Sequence, residues 1–133
     1  MGSALTVLLD SHVLHWWSAE PERLTPLASD TILRAERLAV SAVTWLELAW
    51  LGNHERIIVS VPLRDWLEGL ARQVLTVTIT PSIAASAVEL PSTFPKDPAD
   101  RLIFATALHH GLKVVTKDEA IRGYSGAREV AIW

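Results

Sequence analysis

Four acids occupy positions at which a carboxylate can do more than solvate a surface. Asp10 and Asp118 each stand at the end of a short apolar run, Ala4 to Leu9 and Leu112 to Val115. Glu47 interrupts a stretch that is apolar nearly all round, and Asp100 sits in the Asp97-Pro98-Ala99-Asp100-Arg101 run that opens a helix. Each has a structural explanation on its own. Aspartate is a favoured helix cap, which serves Asp10 and Asp118; Asp97 and Asp100 read as an acidic capping box; a lone glutamate on a helix is usually solvated. Their coincidence is what these explanations do not supply. In an open parallel sheet, ligands gather beyond the carboxyl ends of the strands, so two strand-end acids and a helix-start acid would converge at one rim. Four carboxylates crowded there repel one another and raise pKa values, and a hard divalent cation relieves the repulsion. Mg²⁺ or Mn²⁺ prefers oxygen ligands and keeps several waters when held by a few carboxylates, leaving positions for a phosphate oxygen and an attacking water. The chemistry implied is phosphodiester hydrolysis, with no protein nucleophile required.

The elements that must position these acids follow from local pattern. Asp97 caps the helix of Asp100, Pro98 suits the first helical position because its missing N–H would be unpaired there anyway, and Gly111 is a natural stop. The helix end then stabilises the Asp100 carboxylate. Ala4 to Leu9, apolar and partly β-branched, is a strand buried on both faces. A short apolar helix follows over His12 to Ser18. Thr25-Pro26 opens another through about Arg37, with Leu27, Ile32 and Leu33 on one side. Leu38 to Val40 is a second strand, and Ser41 caps a helix over Ala42 to Leu51 that carries Thr44 and Glu47. Ile57 to Val59 reads as a stub of strand, Pro62 starts a helix bearing Leu63, Trp66, Leu67 and Leu70, and Val74 to Ile79 alternates as a strand. Thr80-Pro81 begins a helix through about Leu90 with Ile83, Ala84, Ala87 and Val88 inward. Leu112 to Val115 is a strand, Asp118 caps a short helix, and Glu129 to Trp133 closes the chain as an edge strand. Strands alternate with helices throughout, so the class is α/β with a mainly parallel sheet and helices on both faces.

Composition sets the outer bounds. The 133 residues suit one domain with a real core and no need of staples. Half are hydrophobic and six are Trp, more apolar surface than a monomer needs, so an interface such as a homodimer contact is expected. The absence of cysteine excludes disulfides and thiolate zinc sites and fits a reducing cytoplasm. No run reaches the ~18 apolar residues of a membrane helix, and Met1 to Leu9 lacks the basic start of a signal peptide. Met1-Gly2-Ser3-Ala4-Leu5-Thr6 matches the loose myristoylation pattern, but Leu5 onward is better used in a strand. The net charge of -3 advertises no global attraction to nucleic acid. An RNA substrate would therefore rely on bound cations and on local basic residues, of which Lys96, Lys113 and Lys117 are the candidates.

Taken together, Leu8-Leu9-Asp10-Ser11-His12-Val13-Leu14, Val40-Ser41-Ala42-Val43-Thr44-Trp45-Leu46-Glu47, Asp97-Pro98-Ala99-Asp100-Arg101-Leu102-Ile103-Phe104-Ala105-Thr106-Ala107 and Val114-Val115-Thr116-Lys117-Asp118 resemble the four acidic motifs of PIN domains. The nearest match is the VapC-type toxins of bacterial toxin–antitoxin pairs, over nearly the whole chain down to Ile132-Trp133. The resemblance implies a three-layer α/β/α sandwich, one PIN-like domain over residues 1–133, and a small Mg²⁺- or Mn²⁺-dependent ribonuclease. It further implies a cytoplasmic, often dimeric protein held inactive by a cognate VapB-type antitoxin that inserts a segment into the active-site groove. Carried over by motif, the metal-site acids are Asp10, Glu47, Asp100 and Asp118; Asp97 matches a supporting acid and Thr116 a hydroxyl near the site. Ser11 stands where threonine is commoner, and Phe94-Pro95-Lys96 where a histidine is expected. Neither departure touches an acid, so they bear on substrate choice.

The remaining candidates have simpler readings. The five histidines show no zinc-like spacing, and His109 and His110 suit a helix C-terminus. Arg101 is expected to pair with Asp97 at i, i+4. Trp16, Trp17, Trp45 and Trp50 are assigned to core or dimer contact rather than to base stacking. A phosphoacceptor receiver would need paired acids after the first strand and an acceptor after the third, which this chain lacks. A haloacid-type phosphatase would need an aspartate where His12 stands. A PIN scaffold that binds RNA or protein without cutting is the alternative, disfavoured because all four acids are present.

Overall fold

The computed structural model describes residues 5–127 and 129–133; Ala4, the first residue of the expected opening strand, and the other residues of the myristoylation-like start up to it lie outside them. Five strands, β1 (Thr6–Leu9), β2 (Arg37–Ser41), β3 (Leu75–Val77), β4 (Lys113–Val115) and β5 (Ala131–Ile132), form one sheet in the order β3-β2-β1-β4-β5. Every pairing is parallel. Seven α-helices join them: α1 (Ser11–Ala19), α2 (Pro26–Arg34), α3 (Val43–Asn53), α4 (Leu63–Ala71), α5 (Pro81–Glu89), α6 (Pro98–His110) and α7 (Glu119–Arg122). Parallel neighbours require crossovers, and the helices supply them.

β1 shows why the fold has three layers. Its side chains alternate, so Val7 and Leu9 enter one core with Val13, Leu14, Ile32, Val40, Leu48 and Leu70, while Leu8 enters another with Ala39, Ile103, Ala107 and Val114. Residues of α1 to α4 therefore cover one face and α6 the other, with Ile83 and Ala87 of α5 packed on Ala105 outside it. All three inward residues of β1 are 0–1 % exposed, as a strand buried on both faces must be. Among the described residues no helix is long and apolar enough to cross a membrane.

Two helices bury a stripe that overlaps only in part with the one expected. In α2 it is Ala28 and Ile32 that face the core, while Leu27 and Leu33 are 56 % and 83 % exposed; in α5 Ile83 and Ala87 are buried and Val88 is 79 % exposed. Both true stripes are i, i+4 pairs, and the misassigned residues are one step along the helix, which turns a side chain by ~100°. Residues 57–59 form no strand; Ile57 is simply buried under the end of α3. Ser41 ends β2, and its Oγ accepts from the Val43 N–H at 3.3 Å, so it steers the chain into α3 from one residue before the formal cap.

Candidate active site

The strand order reverses direction at β1, with β2 on one side and β4 on the other. Such a switch point splays the loops that leave the carboxyl ends of the two strands and opens a crevice between them. Asp10 leaves β1 there and Thr116, Lys117 and Asp118 leave β4. α6 begins beside them with Asp97 and Asp100, and α3 adds Glu47. The result is a cavity of about 430 Å³ lined by Asp10, Glu47, Asp97, Asp100 and Asp118 together with His12, Trp16 and Lys117. All four acids singled out from the sequence, and the supporting Asp97, are thus brought to one place.

Four of the five carboxylates are fixed by a local device. Asp10, 8 % exposed, caps α1 by accepting from the His12 N–H with Oδ1 at 2.9 Å. Its Oδ2 accepts from the Thr116 hydroxyl at 2.6 Å, across 106 residues of chain. That same hydroxyl oxygen accepts from the Asp118 N–H at 3.1 Å, so Thr116 ties the two strand-end acids together. Asp118 caps α7 through Oδ1 alone, which takes the N–H groups of Ala120 and Ile121 at 2.9 and 3.2 Å. Asp97 caps α6 by accepting from Ala99 at 3.1 Å. Glu47 accepts from the Ser11 hydroxyl at 2.6 Å. With its one proton so used, Ser11 Oγ takes the hydrogen of the buried Thr44 hydroxyl, 2.9 Å away. Capping and relay bonds of this kind hold a carboxylate in a single rotamer, and bonds to its charged form favour ionisation.

Against those bonds stand burial and mutual repulsion. The Asp10 carboxyl is pushed above its ordinary range, chiefly by burial, with the bonds from Thr116 and His12 opposing and the charge of Asp118 adding. Glu47 is raised by burial and then by the charges of Asp10 and Asp97, against the Ser11 bond. Asp100 is pushed up to about 7 by burial, followed by the charges of Asp97, Asp118, Asp10 and Glu47. That mutual effect is the electrostatic signature of one shared cleft.

The donor set suits a hard cation, being five carboxylates and one imidazole with no sulfur. Among the described residues no three His, Cys, Asp or Glu side chains form a ready-made metal cage. Mg²⁺ does not require one, since one or two carboxylates with waters and phosphate oxygens complete its shell.

Several residues fall elsewhere than expected. Arg101 does not pair with Asp97. Its guanidinium donates to the carbonyls of Pro95, Ala87, Leu90, Pro91 and Phe94 at 2.9 to 3.3 Å, so all five N–H groups are spent on the end of α5 and the loop that leads from it into α6. Of the three lysines only Lys117 lines the pocket. Lys96 borders an apolar groove with Val88, Pro98 and Leu102, and Lys113 donates to the Glu129 carbonyl. Trp17 and Trp45 pack on the core as expected, whereas Trp50 is 63 % exposed and Trp16 forms part of the pocket wall. Sequence reasoning missed His12 and Trp16 as site residues. The signal was there: they lie two and six residues after Asp10, four apart and so on one face of α1.

Comparison with known proteins agrees with this fold. The family model described as PIN domain matches residues 7–126. The chain is 58 % identical to Ribonuclease VapC22 of Mycobacterium tuberculosis over 96 % of its own length and 98 % of that protein's. Among solved structures it resembles a toxin–antitoxin complex from Klebsiella pneumoniae, with a TM-score of 0.67 at 20 % identity over 96 % of both chains. It also resembles VapBC2 from Rickettsia felis bound to a promoter DNA fragment, with a TM-score of 0.69 at 12 % identity over 96 % of this chain and 98 % of that one. At such identities the two structures speak for the fold.

Proposed function

The chain belongs to the PIN-domain family, and from that premise we propose that it is an endoribonuclease, the toxin of a toxin–antitoxin pair, hydrolysing RNA at the acidic pocket with Mg²⁺ or Mn²⁺ bound. The observation that carries the reading is the convergence of Asp10, Glu47, Asp97, Asp100 and Asp118 on one cavity at the carboxyl ends of β1 and β4. The 58 % identity to a protein named a ribonuclease supports it.

Asp10, Asp100, Asp118 and Glu47 would hold the cation. When bound, it supplies a lowered pKa for the attacking water and offsets the charge on the scissile phosphate. The rest of the work falls to this chain's own side chains. Thr116 keeps Asp10 turned into the pocket and fixes the turn that presents Asp118. Ser11, itself held by Thr44, does the same for Glu47; such outer bonds set ligand orientation. Asp97 stays engaged with the start of α6 and adds negative charge. Lys117 brings positive charge to the pocket edge, where an RNA phosphate would otherwise meet only carboxylates.

In the cell the protein would be cytoplasmic and homodimeric, inhibited by a VapB-type antitoxin. The test is an RNA cleavage assay with Mg²⁺ or Mn²⁺, comparing the parent chain with Asp10→Asn and Asp100→Asn. Cation-dependent cleavage that both substitutions abolish is expected. Cutting that survives both would remove the pocket from the reaction.

A further inference from the structure

His12 and Trp16 are shared between the acidic pocket and a second, adjoining hollow of about 260 Å³. The second hollow is completed by His15 and Glu20 at the end of α1, Arg23 in the turn after it, and Leu51, Arg56 and Ile57 at the end of α3. Its chemistry reverses that of its neighbour: two guanidinium groups and an apolar wall face a single carboxylate. Glu20 is already engaged by Arg23 at 2.9 Å and approached by His15 Nε2 at 3.4 Å. Arg56, by contrast, is exposed and has no ion pair among the described residues.

Two further observations concern the wall of this hollow. His15 is 9 % exposed, and its Nδ1 is buried with no hydrogen-bond partner among the described residues. A buried polar atom left unpaired is costly and calls for explanation. Burial keeps the imidazole pKa below its ordinary value, and with Nε2 turned to Glu20 at 3.4 Å the ring forms part of the hollow's wall while Nδ1 is enclosed by the protein. Trp16, meanwhile, has a cation from each cavity near its ring, Lys117 Nζ at 5.4 Å and Arg23 Cζ at 5.7 Å from the centroid. Packing against Trp133 and His12 at 6.0 and 5.8 Å accounts for the ring's presence. It does not account for the paired cavities.

We propose that this hollow is the subsite for the nucleotide next to the scissile phosphate of a single-stranded RNA. The strand would cross Trp16, its base against that ring and the apolar Leu51 and Ile57, and its phosphate at Arg56 and Arg23. This rests on the ribonuclease reading above and adds where the substrate lies.

The test measures binding of the full chain to a fluorescein-labelled single-stranded RNA by anisotropy in EDTA, where no cutting occurs, and then cleavage with Mn²⁺. Trp16→Ala should weaken RNA binding about tenfold, the scale of one lost base–aromatic stack, with Trp16→Phe restoring most of it. In cleavage the loss should appear in KM with kcat largely kept. Arg56→Gln should lower the slope of log K against log salt by about 0.7, the share of one phosphate contact on a single strand. Should Trp16→Ala fail to fold, the salt slope of the exposed Arg56→Gln alone decides the test. Parent-like affinity in folded Trp16→Ala together with a parent-like salt slope in Arg56→Gln, while the parent chain cuts RNA, would overturn the subsite and leave the ribonuclease reading standing. A parent chain that neither binds nor cuts RNA would overturn both. Variants that keep RNA affinity but lose an antitoxin would make the hollow a protein dock and overturn the proposal equally.

Discussion

Asp100 and Arg101 are consecutive residues in the first turn of α6, and they lead into regions with opposite electrostatics. Asp100 joins a pocket of like charges whose repulsion and burial push its carboxyl up to about 7. Arg101 turns to the end of α5 and the loop of residues 90–96, where five carbonyl oxygens meet its five N–H groups. Phe94, at the centre of that loop, is buried against Phe104 with ring centroids 4.8 Å apart, and Arg101 lies 5.9 Å from its ring. One region leaves charge unsatisfied, the other saturates it. A saturated ion holds a loop in place and has nothing left to offer a ligand; a crowd of under-compensated carboxylates costs stability and is ready to take up a cation. Titratable groups perturbed in concert mark the functional side of such a contrast.

The contrast can be broken first at its functional end. Asp100→Asn should lower the kcat of RNA cleavage by about 10²–10³, the scale of one lost electrostatic contact in a transition state. The same substitution should raise the melting temperature of the metal-free protein at pH 8, because it removes a repelled carboxylate. A fall in melting temperature on that substitution would mean that Asp100 is a structural residue. At the saturated end, Arg101→Met should cost about 2–3 kcal/mol of stability in urea unfolding, since loop carbonyls lose a charged donor. Arg101→Lys should recover little, having a point charge in place of a planar fork. Cleavage per folded molecule should change far less than stability does.

A substitution between the two extremes sharpens the comparison. Thr116→Val keeps the shape of the side chain and deletes the bond that orients Asp10, and should weaken Mn²⁺ binding by about 10–100-fold, as outer-shell changes do. Titration calorimetry reads this directly, and unchanged affinity would remove the relay from the account. The smallest effect is on pH dependence. Asp100 has a folded pKa of about 7 against an ordinary 3.8, so it favours the folded state fully below pH 3.8 and loses that contribution as pH rises through about 7. Metal-free protein should therefore lose stability between pH 4 and 8 through this group, and Asp100→Asn should flatten that slope. Saturating Mg²⁺ should flatten it too, because binding favours the ionised carboxylates.

Much of the site was legible because its signals are local. A strand ends where its apolar run meets Asp10 or Thr116, Asp97-Pro98 announces a helix start, and Gly111, with φ at 65°, ends that helix in the left-handed conformation that glycine adopts without strain. Local rules also produced the errors. Arg101 and Asp97 have the spacing of an ion pair, but Asp97 is committed to the Ala99 N–H and the loop carbonyls offered Arg101 a fuller set of partners. Leu33 and Val88 lie one residue off the buried stripe of a nine-residue helix, a displacement that local pattern tolerates until tertiary neighbours choose.

By itself, then, the sequence determined the alternation of strands and helices, the parallel class of the sheet, and the presence of acids at the ends of elements, all of which depend on residues within a few positions of one another. Only the tertiary structure decided that β4 and β2 flank β1, so that Thr116 reaches Asp10 and Ser11 reaches Glu47. It also decided that Trp16 divides an acidic pocket from a basic hollow, and that Arg101 serves a loop. The physical reason is that a carboxylate's pKa and a guanidinium's partners are set by whatever lies within a few ångströms in space, and strand order, not chain order, determines those neighbours.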